Sequence, residues 1–296
     1  MDMTDTDKIL ADKLQSIPYD GGYLDLCFTW LTYRKIKPVS VIDFSKDSQP
    51  FEQLIQWCEE AGISHQKDSS GKDLLYISKD KEKMEIMQKI FMVKSPILEI
   101  IKCEYFGFPR ESAYAYISQM FTLPESKKNI RAAKTSDIEK NFTEYWKPYI
   151  SYLMRLGSEQ EDSLVAKLWF DTCSLEIPKI HNKYLEQYEA DKTKNAQTKK
   201  ELLNTLESFS YISREDKEIL KQVYLRNFDA GWVIVTTENK TAILEWLKKA
   251  RIQYETDASD ENLIYFTTSK DNIGAFRELN SFKNNEAKGL RQKYFS

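Results

Sequence analysis

Side chains able to do acid–base, nucleophilic or metal chemistry are sparse in this chain. His65 and His181 are its only histidines, and Cys27, Cys58, Cys103 and Cys173 its only cysteines, spaced 31, 45 and 70 residues apart. A zinc site needs close pairs of Cys or His ligands, and this spacing supplies none. His65 falls in a short, weakly apolar strand pattern, which predicts a half-buried residue. His181 follows Pro178 in a helical context near Glu176 and Tyr184 and reads as a surface or capping residue. Acid pairs such as Glu59-Glu60, Glu161-Asp162 and Glu215-Asp216 are adjacent on helices, so their carboxylates point apart. Neither a glycine-rich phosphate loop nor a nucleophile elbow occurs. No cofactor or metal is therefore expected, and an enzyme is the lesser reading.

Aromatic residues crowd one corner. Tyr105, Phe106 and Phe108 surround Gly107 and Pro109, just before a helix opened by Arg110 that carries Glu111, Tyr114 and Tyr116. The bland reading is a helix–helix corner with an aromatic plug. The functional one is a small-molecule pocket lined by Tyr105, Phe108, Tyr114 and Tyr116, with Arg110 beside it. An enzyme site, if present, would draw on Arg110, Glu111 and Tyr114 with Trp169 and Asp171. The run Phe106-Gly107-Phe108-Pro109-Arg110-Glu111-Ser112 resembles the Leu-Gly-Tyr-Pro-x-Cys-Cys motif of an uncharacterised archaeal family, and Gly157–Ser163 stands roughly where that family has a second cysteine-bearing turn. Glu111 and Ser112 occupy the places of the paired cysteines. The resemblance thus implies an architecture for the middle region and no thiol chemistry.

The elements around that corner are legible as a repeat. Residues 52–78 align without a gap to 241–267 at an offset of 189, with seven identities: Trp57/Trp246, Ala61/Ala250, Ile63/Ile252, Asp68/Asp257, Ser70/Ser259, Leu74/Leu263 and Tyr76/Tyr265. Each copy opens with a β-branched run, Val39–Phe44 or Trp232–Thr237, followed by a helix capped at Ser48 or Asn239. A weaker strand from Ile63 or Ile252, a polar turn, a strong strand at Leu74–Ile77 or Leu263–Phe266, and a closing helix after Ser-Lys-Asp complete it. The order βαββα is most of a ferredoxin-like unit. The shared tryptophan reads as the plug between helix and sheet. Asp68, Ser70, Asp257 and Ser259 read as turn residues, or as symmetric rims of a ligand or partner site.

The remainder is helical in pattern. An amphipathic helix is expected at 22–36, with Tyr23, Leu26, Cys27, Trp30 and Leu31 on one stripe. Others are expected at 97–105, 110–121, 136–155, 161–188, 198–208 and 214–227, with Pro96 and Pro109 at first helical positions. The polar stretch at 189–195 reads as a solvated helix end or a linker, with a boundary near 190–200. The fold class is α+β: N-terminal helices at 1–37, one βαββα module at 38–94, a helical middle at 95–228, and a second module with a tail at 229–296.

Bulk properties bound the function. Net charge is −3 with pI near 5.7, hydrophobic residues are 41% and aromatics 13%. Such a balance predicts a folded, soluble chain without global attraction to nucleic acid or membrane. Basic clusters at Lys127, Lys128, Arg131 and Lys134, at Lys192, Lys194, Lys199 and Lys200, and at Lys283, Lys288, Arg291 and Lys293 are flanked by acids and read as solvated faces. The acidic start and scattered cysteines point to the cytoplasm. The leading reading is a binding protein whose duplicated modules frame a small-molecule or protein-partner site; an enzyme of the helical middle and a nucleic-acid accessory protein are the alternatives.

Overall fold

The computed structural model describes residues 2–19, 22–43, 49–68, 73–119, 127, 129–225, 230–257 and 260–267. It is a mixed α+β chain of two compact units, 1–190 and 191–296, the division falling inside a long helix.

The first unit opens with α1 (Asp5–Ser16), started by a Thr4 capping box with Asp7, and α2 (Tyr23–Tyr33). The expected α2 stripe is the buried one: Leu26, Cys27, Trp30 and Leu31 are at or below 1% exposure. Then come β1 (Val39–Asp43), α3 (Gln49–Glu60), β2 (Ser64–Lys67), β3 (Leu74–Ser78) and α4 (Lys81–Ile90). The sheet order is β1-β3-β2, antiparallel throughout. Asp80 caps α4 by accepting from the Lys83 N–H. The expected Ser48 cap of α3 lies outside the described residues.

Helices α5 (Pro96–Tyr105) and α6 (Arg110–Ile117) form the aromatic corner. Pro96 is the first residue of α5, whereas Pro109 sits one place outside α6 as its cap. Two long helices expected from periodicity are broken. In place of 136–155 stand α7 (Thr135–Asn141) and a single 3-10 turn, Lys147–Tyr149. Phe142 is extended, and Pro148 disfavours α geometry in the residue before it. In place of 161–188 stand the short α8 (Glu159–Asp162), then α9 (Leu164–Glu176) and α10 (Pro178–Ser208). Ile177 leaves helical geometry because Pro178 has no N–H to continue α9. The 198–208 helix is the end of α10, and residues 189–200 are an exposed stretch of it, so the solvated segment is helix and not loop.

The second unit contains α11 (Arg214–Tyr224), β4 (Ala230–Ile234), α12 (Thr237–Lys249), β5 (Gln253–Thr256) and β6 (Leu263–Thr267). Its sheet order is β4-β6-β5, again antiparallel. The α12 cap is Thr236, not Asn239; the Asn239 side chain instead reaches the Tyr211 carbonyl at 3.4 Å. The closing helix expected after β6 lies outside the described residues.

The shared tryptophans tie helix to helix. Trp57 donates its indole N–H to the Leu10 carbonyl of α1 at 2.8 Å and meets Trp30 and Tyr33 of α2, 6.4 and 5.9 Å between ring centres. Trp246 donates to the Leu202 carbonyl of α10 at 2.8 Å and meets Tyr224 of α11. Helices α3 and α12 also end alike. Gly62 (φ 61°) and Arg251 (φ 55°) are left-handed, and Ile63 and Ile252 each return an N–H to Cys58 and Leu247 at 2.9 Å. Only Gly holds that conformation without a Cβ penalty. Arg251→Gly is expected to stabilise the second unit by about 0.5–1 kcal/mol, read as a raised urea midpoint.

Candidate ligand cavity

The corner between α5 and α6 is shaped by Gly107. Its φ is +73°, and a Cβ there would meet Pro38 Cδ at 3.1 Å, so the turn presses closely on the entry to β1. Phe108 N–H returns to the Cys103 carbonyl at 3.0 Å. The turn sets Phe106 and Phe108 side by side, 5.5 Å between ring centres. Phe91 extends this wall on one side at 6.2 Å and Tyr152 on the other at 5.1 Å.

In front of the wall is a cavity of about 880 Å³. Cys103 and the Glu99–Lys102 pair line it from α5; Ser112, Ala113 and Tyr116 from α6; Ile150–Leu153 from the segment after the 3-10 turn. Met92 and Tyr116, 56% and 37% exposed, mark its solvent side. The size and the mostly apolar lining with few polar groups suit a small organic ligand.

The polar groups are distinctive. Lys102 and Glu99 are both buried, and Nζ donates to Glu99 Oε1 at 2.6 Å, to the Val93 carbonyl at 3.0 Å and to the Phe91 carbonyl at 3.3 Å. All three ammonium donors are thereby used. Glu99 Oε2 makes no hydrogen bond among the described residues. Ser112, 2% exposed, has its hydroxyl oxygen buried without a hydrogen-bond partner among the described residues. A buried unpartnered hydroxyl costs about 1–3 kcal/mol, so it calls for an explanation.

Proton chemistry along the lining is quiet. Burial, then the Glu99 carboxylate, push the Cys103 thiol up to about 11. Burial raises the phenols of Tyr116 and Tyr152 as well. At neutral pH these groups are protonated, and Cys103 is no thiolate nucleophile.

Behind the wall lies Lys37, 2% exposed. Its Nζ sits over Phe28, Trp169, Phe108 and Phe106 at 4.5, 4.7, 5.0 and 5.2 Å from the ring centres and donates to the Phe106 carbonyl. It makes no ion pair among the described residues, and burial pulls its pKa down from 10.5 to about 7.

Of the residues singled out from sequence, Phe108 and Tyr116 line the cavity and Tyr105 and Tyr114 do not. Tyr105 packs with Val39, Tyr76, Met84 and Met87. Tyr114 lies under the Lys127 ammonium at 5.0 Å, and Lys127 is paired with Glu111 at 2.8 Å. Arg110 points to solvent and pairs with Glu104 at 3.1 Å. Trp169 is buried behind the wall, while Asp171 pairs with Lys167 and accepts from Tyr145 at the surface, so the residues considered for catalysis are dispersed. Asp257 is held within its own hairpin, accepting from the Asp260 N–H and from the Tyr265 hydroxyl, each at 3.1 Å. Asp68 bonds likewise across its turn, N–H to the Leu74 carbonyl at 2.8 Å. Ser70, Ser259, Lys128 and the basic tail lie outside the described residues; Lys192, Lys194, Lys199 and Lys200 face solvent on α10.

His65 is half-buried on β2 as expected. His181 is not a surface residue. It is 4% exposed, its Nδ1 is 3.0 Å from the Tyr149 hydroxyl, and Phe170 closes on it at 4.5 Å. The Tyr149 hydroxyl also donates to Cys27 Sγ at 3.2 Å, making a polar knot inside the core. Burial lowers the His181 pKa, which keeps the imidazole neutral there.

Sequence reasoning missed Glu99, Lys102 and Ser112. A signal existed in Pro96–Tyr105, where the opposite charges of Glu99 and Lys102, three apart, share one face of a mostly apolar helix. Lys37 had none. Among the described residues no three His, Cys, Asp or Glu side chains could share a metal ion, and no helix is long and apolar enough to cross a membrane. Comparison with protein-family models, with curated proteins and with solved structures returned no match.

Proposed function

We propose that this is a binding protein whose first unit holds a small organic ligand in the cavity between α5, α6 and the segment Ile150–Leu153. The observation that carries the reading is an apolar cavity of about 880 Å³ with a buried, unpartnered hydroxyl on its wall. Binding is favoured over catalysis because the lining offers no deprotonated nucleophile and no free acid–base pair. The Phe106–Ser112 corner, where the archaeal-family likeness falls, forms the aromatic wall.

The proposal includes a common origin for the two sheets, each the larger part of a ferredoxin-like βαββα module. Several features support it. The β2–β3 and β5–β6 hairpins have one register at the 189 offset, Ser64↔Ser78 against Gln253↔Thr267. The strand orders agree, as do the left-handed residues after α3 and α12 and the tryptophan–carbonyl bonds. By register, the first strands correspond at an offset of 191, Val39↔Ser78 against Ala230↔Thr267. A two-residue difference in the strand–helix connection accounts for that shift. Four buried, unbridged thiols fit a reducing compartment such as the cytoplasm.

The test is a fluorescence titration with N-phenyl-1-naphthylamine, a neutral apolar probe. Saturable binding to one site is expected. Ala113→Leu and Ile150→Trp, which fill the cavity from different walls, should each weaken it about tenfold or more, a loss of about 1.4 kcal/mol. Non-saturable binding, or unchanged affinity in both folded variants, would overturn the reading.

A further inference from the structure

The unmet hydrogen-bonding groups on the cavity wall narrow the ligand. Resting on the reading of the cavity as a ligand site, we propose that it selects an uncharged aromatic molecule carrying one hydroxyl or N–H donor, seated on Ser112 and Glu99 with its rings on Phe106 and Phe108.

The selection follows from which valences are free. A carboxylate or phosphate seated at the buried end of the cavity would need donors there. Lys102 has none to give, since its three are taken by Glu99 and two backbone carbonyls. An anion would also face Glu99, whose second oxygen is unbonded among the described residues. Glu99 is already neutralised by Lys102 at 2.6 Å, so the site does not demand a cation either. Among the buried side chains of the lining, what remains is one carboxylate oxygen that can only accept and one serine hydroxyl that can donate or accept; Lys94, Ser151 and Tyr116, also on the lining, are exposed at its solvent side. Both buried residues, Glu99 and Ser112, line the cavity. A ligand hydroxyl or N–H satisfies either of them, whereas a pure hydrocarbon leaves Ser112 unpaired in a dry site. The rings of Phe106 and Phe108 lie 32° apart, a shallow angle that presents a broad aromatic surface to a flat molecule.

Ser112 gives a readout that a structural role would not. A hydroxyl that serves the fold has a partner in the fold, and its removal destabilises. Here the hydroxyl has none among the described residues, so Ser112→Ala should leave the urea midpoint unchanged or raised while it lowers affinity.

The experiment measures displacement of N-phenyl-1-naphthylamine from the full-length chain by naphthalene, 2-naphthol, indole and 2-naphthoate at neutral pH. The expected order places 2-naphthol and indole about tenfold tighter than naphthalene, the ratio of one hydrogen bond to a buried group. 2-Naphthoate should be weakest. In Ser112→Ala and in Glu99→Gln, the advantage of 2-naphthol over naphthalene should shrink. Equal affinities for naphthalene and 2-naphthol, both weakened by Ala113→Leu, would overturn the donor selection and leave the cavity reading standing. Affinities indifferent to Ala113→Leu would overturn both.

Discussion

Arg34→Met is expected to cost the first unit about 3–5 kcal/mol, the penalty for stranding buried charge. Arg34 lies just after α2 with its side chain 8% exposed, bridging Asp7 of α1 at 3.0 Å and Glu176 of α9 at 3.1 Å. Both acids are otherwise committed. Asp7 accepts from the Tyr33 hydroxyl at 2.6 Å and from Thr4, while Glu176 accepts from the Trp30 indole at 2.8 Å. Three helices therefore meet on one guanidinium. Lysine, a point donor, cannot span both acids, so Arg34→Lys should recover only part of the loss.

A pH signature accompanies this loss. Burial alone would raise the Asp7 carboxyl, but the hydrogen bonds from Tyr33 and Thr4 and the Arg34 charge outweigh it and hold the group at about 2, below its ordinary 3.8. The contribution of Asp7 is present above about pH 4 and is lost as pH falls toward 2. In Arg34→Met the acid limb of the stability profile should move to higher pH. Urea unfolding of the full chain, followed by tryptophan fluorescence across pH, reads both effects. A loss below about 1 kcal/mol would mean the network is solvated in practice.

Lys37→Met is expected to act in the opposite sense and stabilise the first unit by about 1–3 kcal/mol at pH 7. The lysine is enclosed by four aromatic rings with no acid paired to it among the described residues. Its pKa falls from 10.5 to about 7, which at about 1.4 kcal/mol per tenfold corresponds to a cost of roughly 5 kcal/mol. The ring faces and the Phe106 carbonyl return part of that, each ring offering about 0.5–2 kcal/mol to the charged form. Methionine keeps the length and the ring contacts while removing the charge.

The sign of the pH dependence distinguishes this account from simple repacking. Between pH 7 and 10.5 the unfolded chain holds a proton that the folded chain lacks, so wild-type stability rises with pH across that window. The penalty is complete below pH 7 and absent above 10.5, where the two proteins should converge apart from packing. A less stable Lys37→Met at pH 7 would show that the ring faces hold the ammonium better than water does. Because Phe106 and Phe108 separate Lys37 from the cavity, the same variant also asks whether the wall keeps its shape without the amine.

Sequence periodicity alone located the strands and most helices. Alternating β-branched runs such as Val39–Ile42 and apolar stripes such as Leu26, Cys27, Trp30 and Leu31 are local, and their burial follows from solvent exclusion on one face. Prolines located some breaks and hid others. Pro178 ended a pattern whose apolar spacing continued through it, and α7 stopped at Asn141, where Phe142 turns extended, so 161–188 and 136–155 both looked longer than the helices that form. Burial of His181 was not legible, because its enclosure by Tyr149 and Phe170 comes from chain segments whose meeting only the packing of α9, α10 and the 3-10 turn determines.

The candidate site divides the same way. The aromatic corner at 105–116 could be read from composition, since Gly107 and Pro109 among five rings demand a tight turn. Which rings face the cavity could not. Tyr105 and Tyr114 sit on helix faces turned toward α4 and Lys127, and that rotation is set by what the neighbouring helices bury. The residues that give the cavity its chemistry, Glu99, Lys102 and Ser112, are ordinary polar residues in sequence. They become a site only where tertiary structure removes water from them, because desolvation turns an ion pair into a fixed dipole and a spare hydroxyl into an unmet bond.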